Sequence, residues 1–305
     1  MTQTGRPRVA DRPDWATDGG DWPNRAWSTF VDVSGFRWHI QRAGDAGQAK
    51  LLMLHGTGAA THSWAGLLPL LAAHYDVLAV DLPGHGFTAD PGSRNLSLNG
   101  MSALINRLLD QLDFAPAYVV GHSAGAALGV RMTLDERIAP GAIASINGAF
   151  LPFPGVARSI FPSLARILFL NPLTPQVFAW RARQQTSVDK LLKSTGSDLT
   201  PEQVAPYAML MGYAGHISGA LGMMANWDLA TLERDLPKLT VPLLLIAAVN
   251  DKTVPAADAE VVARQVPPAS VRRLSDVGHL AHEEAPGRVA DLIFEAFGTV
   301  PSSSA

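Results

Sequence analysis

Tyr118-Val119-Val120-Gly121-His122-Ser123-Ala124-Gly125-Ala126-Ala127-Leu128-Gly129-Val130 is the stretch that decides how this chain folds. Its first three residues form a short apolar run without alternation, the pattern of a strand covered on both faces. Its last five are helix-forming and apolar. Between them lies G-x-S-x-G in the strand–turn–helix context that a nucleophile elbow requires. Such a turn is tight, so only small residues fit beside the serine, and Gly121 and Gly125 let backbones pass closely. The geometry pushes the Ser123 hydroxyl out at the carboxyl end of the sheet. G-x-S-x-G also recurs by chance as an ordinary glycine-rich turn, so its flanks and partners carry the reading.

Working outward, Leu51-Leu52-Met53-Leu54, Val77 to Val80, Ile143 to Ile146 and Leu243 to Val249 are further unbroken apolar runs. Helical patterns stand between them at Ser63 to Ala73, Leu98 to Leu112, Ala124 to Leu134, Ala256 to Arg264 and Pro286 to Phe297. Trp27 to Gln41 alternates apolar and polar residues around Ser34-Gly35, which predicts an opening β-hairpin. This alternation specifies an α/β fold with a mostly parallel central sheet and helices on both faces. The core is expected over residues 28–150 and 236–300. Over 151–235 the rhythm stops. That region has helical patterns and prolines but no convincing strand, and reads as an inserted helical cap over the site. Residues 1–27 read as an extended N-terminal arm, and 301–305 as a disordered tail.

The 305 residues are 47% hydrophobic and 17% charged, which suits a well-packed core and argues against disorder. A net charge of −3 gives no general nucleic-acid footprint. The chain has no cysteine, which removes disulfides, thiolate metal sites and cysteine nucleophiles. The polar N-terminus lacks an apolar signal region, and no stretch reaches the roughly 20 apolar residues of a membrane span. The expectation is a cytoplasmic protein without a transmembrane segment, with peripheral contact to a membrane surface left open.

A serine hydroxyl is a weak nucleophile without a base within hydrogen-bond reach. Of nine histidines, His279 stands out: Asp276-Val277-Gly278-His279 follows the strand-like Val271 to Leu274 and precedes the last helix. The base needs an acid to fix its tautomer and to stabilise the imidazolium. Asp251 follows the Leu243–Val249 strand and is preferred to Asp228, at the end of the cap, and to Asp276, too close to His279 in sequence. The order Ser, Asp, His is then that expected of an elbow protein. Donors for a developing oxyanion are expected from the backbone N–H of Ala124 and of Thr57, in the His55-Gly56-Thr57-Gly58 loop. That loop lacks the G-x-x-x-x-G-K-[ST] pattern of a phosphate cradle, and no dinucleotide fingerprint is present. Asp81-Leu82-Pro83-Gly84-His85-Gly86 is assigned scaffold work. His282 with Glu283 and Glu284 reads as a solvated helix start rather than a metal site, and no metal or cofactor is expected.

The cap holds Tyr207, Met209, Met211, Tyr213, Met223, Met224 and Trp227, with Phe161, Phe169, Phe178 and Trp180. Such density usually packs a core, yet it also suits an adaptable pocket for a large flat apolar ligand. Gly58, His122, Met209, Met211, Met223 and Trp227 are the expected pocket lining. Arg158, Arg166, Arg181 and Arg183 form a solvated face or meet ligand carboxylates.

Together the elbow, the His55-Gly56 loop, Asp81 to Gly86, Asp251 and Gly278-His279 resemble the α/β-hydrolase superfamily from about Ser28 to Phe297. Ala248 stands where that family usually has glycine. A narrower likeness is carried by Pro13-Asp14-Trp15, Asp21-Trp22-Pro23-Asn24-Arg25, Arg37-Trp38-His39, His55 to Ala59 with His62-Ser63-Trp64, Asp81 to Thr88 and Gly121 to Ala126. These segments are similar to the magnesium-chelatase accessory proteins of bacteriochlorophyll biosynthesis. That resemblance implies a role at or near magnesium insertion into protoporphyrin IX but does not give what the triad hydrolyses; a tetrapyrrole or its ester is the expected small-molecule substrate, and magnesium-chelatase subunits the expected partners. Two alternatives stay open: a non-catalytic tetrapyrrole-binding or delivery protein, and a general carboxylesterase or C–C bond hydrolase. Ester-forming dehalogenases and epoxide hydrolases need aspartate where this chain has Ser123.

Overall fold

The computed structural model describes residues 12–33, 35–152, 171, 173–182 and 185–298. Eight strands form one sheet in the order β1-β2-β4-β3-β5-β6-β7-β8. The hairpin β1 (Ser28–Val33) and β2 (Phe36–Ala43) opens the chain, and β2 runs antiparallel to β4 (Asp76–Val80). From there β3 (Lys50–Leu54), β5 (Tyr118–His122), β6 (Ala142–Ile146), β7 (Leu243–Ala248) and β8 (Ala269–Leu274) are parallel. This is the mostly parallel sheet that the apolar runs call for.

Strand period decides the two layers. Leu52, Leu54, Leu78, Val119, Ile143 and Leu245 point to one face, packed with α3 (Leu98–Gln111), α4 (Ala124–Leu134) and α10 (Ala256–Gln265). Their neighbours Leu51, Met53, Val77, Val120, Ala144 and Ile246 point to the other, against α2 (Leu67–Ala72) and α12 (Pro286–Phe297). The single helix expected over Ser63 to Ala73 is instead a 3₁₀ turn, Thr61–Trp64, followed by α2. Gly66 separates them, and a Cβ there would sit 2.9 Å from Pro286 Cγ.

The register lines up what matters for function. Leu54 pairs with Gly121, His122 with Ile146, and Ile146 with Ile246. The loops leaving β3, β5, β6 and β7 therefore emerge along one edge, at the carboxyl ends of the strands.

Between β6 and β7 the described residues form α5 (Thr174–Ala182), α6 (Gln185–Ser194), α7 (Pro201–Met211), α8 (Ala214–Asn226) and α9 (Leu229–Asp235), and no strand. Helix α7 starts on a capping box: Thr200 Oγ1 accepts from the Gln203 N–H and Gln203 Oε1 from the Thr200 N–H. Arg158, Phe161, Arg166, Phe169 and Arg183, and the tail 301–305, lie outside the described residues.

The arm departs from the extended chain expected of it. From Arg12 onward it is folded against the body. The four-residue helix α1 (Trp15–Asp18) is capped by Asp14, and Trp22 is 4% exposed with its indole N–H on Thr61 Oγ1 at 3.1 Å. Arg12 donates to the carbonyls of Thr88, Gly84 and Gly215, and Asp18 accepts from Tyr213. The cause is aromatic: Trp15 and Trp22 pack against Phe87 and His39, so a polar segment is anchored by two indoles.

Candidate active site

Ser123 sits at φ +51°, ψ −117°, between the last residue of β5 and the first of α4. A non-glycine residue there costs on the order of 1–3 kcal/mol and persists only when its surroundings hold it. Here the Ser123 N–H donates to Ile146 O, and Ser123 O accepts from Ala126 and Ala149. The flanking glycines are required by distance. A Cβ on Gly121 would lie 2.4 Å from Ala126 Cα, and one on Gly125 would lie 2.0 Å from Leu54 O.

His279 and Asp251 arrive from the neighbouring loops. His279 Nδ1 lies 2.7 Å from Asp251 Oδ2. Asp251 Oδ1 also accepts the N–H groups of Thr253 at 2.7 Å and Val254 at 2.9 Å, so its carboxylate is fixed by three donors. The competitors are elsewhere: Asp228 caps α9 through Thr231, and Asp276 is an exposed turn residue at φ +64°. Ser123 and His279 are 8% and 7% exposed. The Ser123 hydroxyl makes no hydrogen bond to His279; its chain neighbour His122 has its ring 4.7 Å from that of His279 and donates from Nε2 to His279 O at 2.9 Å.

The sequence reading missed Asn147. It follows β6 at φ +47°, is buried, and holds both loops. Its Nδ2 donates to Gly278 O and His279 O, at 3.1 and 2.8 Å, and its Oδ1 accepts the Ala248 N–H at 2.8 Å. The Asn-Gly pair directly after a buried strand was the available signal. Ala248 is fully buried and its carbonyl accepts the Asp251 N–H, so a methyl group is accommodated where the family usually has glycine.

The cap reaches the same edge. Ser197 Oγ accepts the Leu280 N–H, Glu284 accepts the N–H groups of Gly278 and Asp198, and Thr195 O accepts from Lys252. A Cβ on Gly278 would meet the Gly196 carbonyl carbon at 2.2 Å. One turn of the cap, 195–198, is thus wedged between the loops of Asp251 and His279.

Thr57 leaves β3 on the facing side, and its Oγ1 lies 3.5 Å from Met223 Sδ on α8. Ala124 opens α4, where the first N–H groups have no acceptor inside the helix. Gly58 has φ +78° with open space where a Cβ would stand, and its carbonyl accepts from His216. His55 is buried and spans the loop, with Nδ1 on Gly56 O and Nε2 accepting from Leu82 N–H. Burial outweighs the nearby Asp81 and lowers its pKa. Asp81 accepts from Thr61, Phe87 and His39. Burial pushes its carboxyl up, but His39 and these bonds outweigh that and hold it well below the usual range.

The expected pocket residues divide. Met223 touches Thr57, whereas Met209 packs against the cluster that holds Trp22 and Phe87, and Met211 against the one that holds Ala59 and Leu280. Trp227 packs on the main core, and His122 is spent on holding His279. The solvated helix start expected at His282 is wrong. On α11 (Ala281–Glu284), His282 is 0% and Glu283 7% exposed, because α11 packs beneath α7 and against the Thr61–Trp64 turn. Among the described residues, no group of three or more His, Asp or Glu side chains could hold a metal, and no helix is long and apolar enough to cross a membrane.

The model of the α/β hydrolase family matches residues 51–292, from β3 into the last helix. The chain belongs to the α/β hydrolase family. It is 35% identical over 275 residues to the magnesium-chelatase 30 kDa subunit of Rhodobacter capsulatus, covering 90% of this chain and 96% of that one. It is 27% identical to human epoxide hydrolase 4, over 87% of this chain and 76% of that one. Among solved structures, the epoxide hydrolase CorEH superposes with a TM-score of 0.76 at 19% identity, over 89% of this chain and 98% of that one. At that identity the likeness is one of fold.

Proposed function

We propose that this α/β-hydrolase-fold chain is an accessory protein of bacteriochlorophyll biosynthesis. It acts at or near magnesium insertion into protoporphyrin IX and hydrolyses an ester, thioester or amide through Ser123, His279 and Asp251. The observation that carries the chemistry is the 2.7 Å contact between His279 Nδ1 and Asp251 Oδ2 on the same sheet edge as the strained Ser123. The pathway rests on the kinship with the magnesium-chelatase 30 kDa subunit over nearly the whole of both chains. Magnesium-chelatase subunits are the partners that this kinship suggests.

In this mechanism His279 Nε2 takes the Ser123 proton as Oγ attacks the acyl carbon, while Asp251 holds Nδ1–H and offsets the imidazolium charge. The N–H groups of Thr57 and Ala124 receive the oxyanion, each worth on the order of a hundred- to thousand-fold in rate. His279 then protonates the leaving group. Water, deprotonated by the same histidine, releases the acid and restores Ser123.

The test is in cells. A strain carrying Ser123→Ala in place of the wild type should lose pigment and accumulate an esterified or tetrapyrrole intermediate. Pigment at the wild-type level would make catalysis dispensable there and leave a binding or delivery role.

A further inference from the structure

Glu283 lies four residues after His279 and its carboxyl meets hydroxyls. Oε1 accepts from Ser63 Oγ and from Tyr207 OH, each at 2.6 Å, and the side chain is 4% exposed. Tyr207 OH also lies 3.3 Å from Ser63 Oγ, and Ser63 Oγ lies 2.8 Å from His282 Nε2. Gln203 Nε2 donates to the Glu283 carbonyl at 2.7 Å. Three elements meet here: the Thr61–Trp64 turn, the cap helix α7, and α11 directly after His279. The cluster holds a serine, a histidine and a carboxyl, but it is not a second triad. The carboxyl bonds to the hydroxyl, not to the imidazole, and all three groups are buried.

We propose that Glu283 is a positioning residue, the joint that seats cap helix α7 on the segment carrying His279. Its bearing on catalysis rests on the function proposed above; the joint itself does not. Two hydroxyl donors leave a buried carboxylate poorly compensated, so the joint is made by the protonated form. Burial, aided by the charge of Glu284 and opposed by the two hydroxyl bonds, raises the Glu283 pKa to about 8. The other groups facing it are His62 beside Ser63, Tyr207 on α7, and His282 on its own helix. Burial lowers His62 and His282 to about 3 and puts Tyr207 well above its usual value. His122, packed on His282, is lowered as well.

Lifting α7 off α11 exposes Glu283, which then ionises, so each opening releases one proton between pH 5 and 8. Hydrogen exchange of the 201–211 segment, corrected for intrinsic rates, reads this. The ratio of wild-type protection to that of Glu283→Gln, which keeps a neutral acceptor, should fall about tenfold per pH unit from pH 5.5 to 7.5 and level off above 8. Proton uptake by His62 and His282 on opening is common to both proteins and cancels in the ratio. Should Glu283→Gln fail to fold, Tyr207→Phe serves: α7 protection at pH 6 should drop about tenfold while α4 is unaffected. A ratio that does not change with pH, or full α7 protection in Tyr207→Phe, would each overturn the joint. Repeating the exchange in Ser123→Ala separates the two proposals. The slope there needs no reaction at Ser123, so it persists if the joint is right and catalysis is wrong.

Discussion

Replacing Asp251 by asparagine keeps the side chain's size but removes the charge facing the His279 ring at 2.7 Å. Loss of that charge, with the wrong tautomer favoured, should lower ester turnover by on the order of 10⁴-fold. Asp276→Asn, at an exposed turn, should leave turnover unchanged. Steady-state kinetics on a chromogenic ester compares the two. Asn147→Ala removes two donors and one acceptor from the loops of His279 and β7. It should cost about 1–3 kcal/mol in urea unfolding and lower kcat more than it raises KM. That Ser123, Asp251 and His279 lie at one sheet edge is legible because each follows a recognisable strand. Asn147 is not, since its role comes from residues 131 and 132 positions away. Glu283 is illegible for a related reason: Glu and His in sequence look solvated, and Tyr207 from the cap, Ser63, Trp64 and His122 come together to bury them only in the folded chain.

At the scale of elements, close approach decides what is tolerated. Gly125→Ala would drive a methyl group to within 2.0 Å of Leu54 O, forcing α4 away from β3. Overpacking of this kind costs about 1–3 kcal/mol or more, and the melting temperature measured by calorimetry should fall by several degrees. The strands were readable as elements because their apolar runs are buried on both faces, as in β4 and β7. The split of the expected Ser63–Ala73 helix was not readable. It falls at Gly66, where a Cβ would meet Pro286, more than 200 residues on. The arm looks extended in sequence because its polar composition hides two indoles that find their partners only in the folded chain.

For the whole molecule, burial of titratable groups sets the pH range of stability. Burial lowers the pKa of His55, His62, His85, His122, His216 and His282 below 6.5. Unfolding then takes up protons on the acid side, so stability is lost as pH falls from about 6.5 toward 3. Glu283 acts in the opposite sense. Its folded pKa is raised, so the stability it contributes below about 4.5 is lost as pH rises to about 8. The unfolding free energy in urea should therefore peak near neutrality and decline toward pH 8, and Glu283→Gln should remove the decline. A wild-type curve that keeps rising to pH 8.5 would contradict this assignment.

The central claim is that Ser123 is activated by His279 under the hold of Asp251. Intact-mass spectrometry after exposure to a serine-directed fluorophosphonate tests it most directly. The wild type should gain one adduct, mapped to Ser123, with labelling abolished in Ser123→Ala and slowed by orders of magnitude in His279→Ala and Asp251→Asn. No adduct on folded wild-type protein, or labelling that is indifferent to His279, would contradict it.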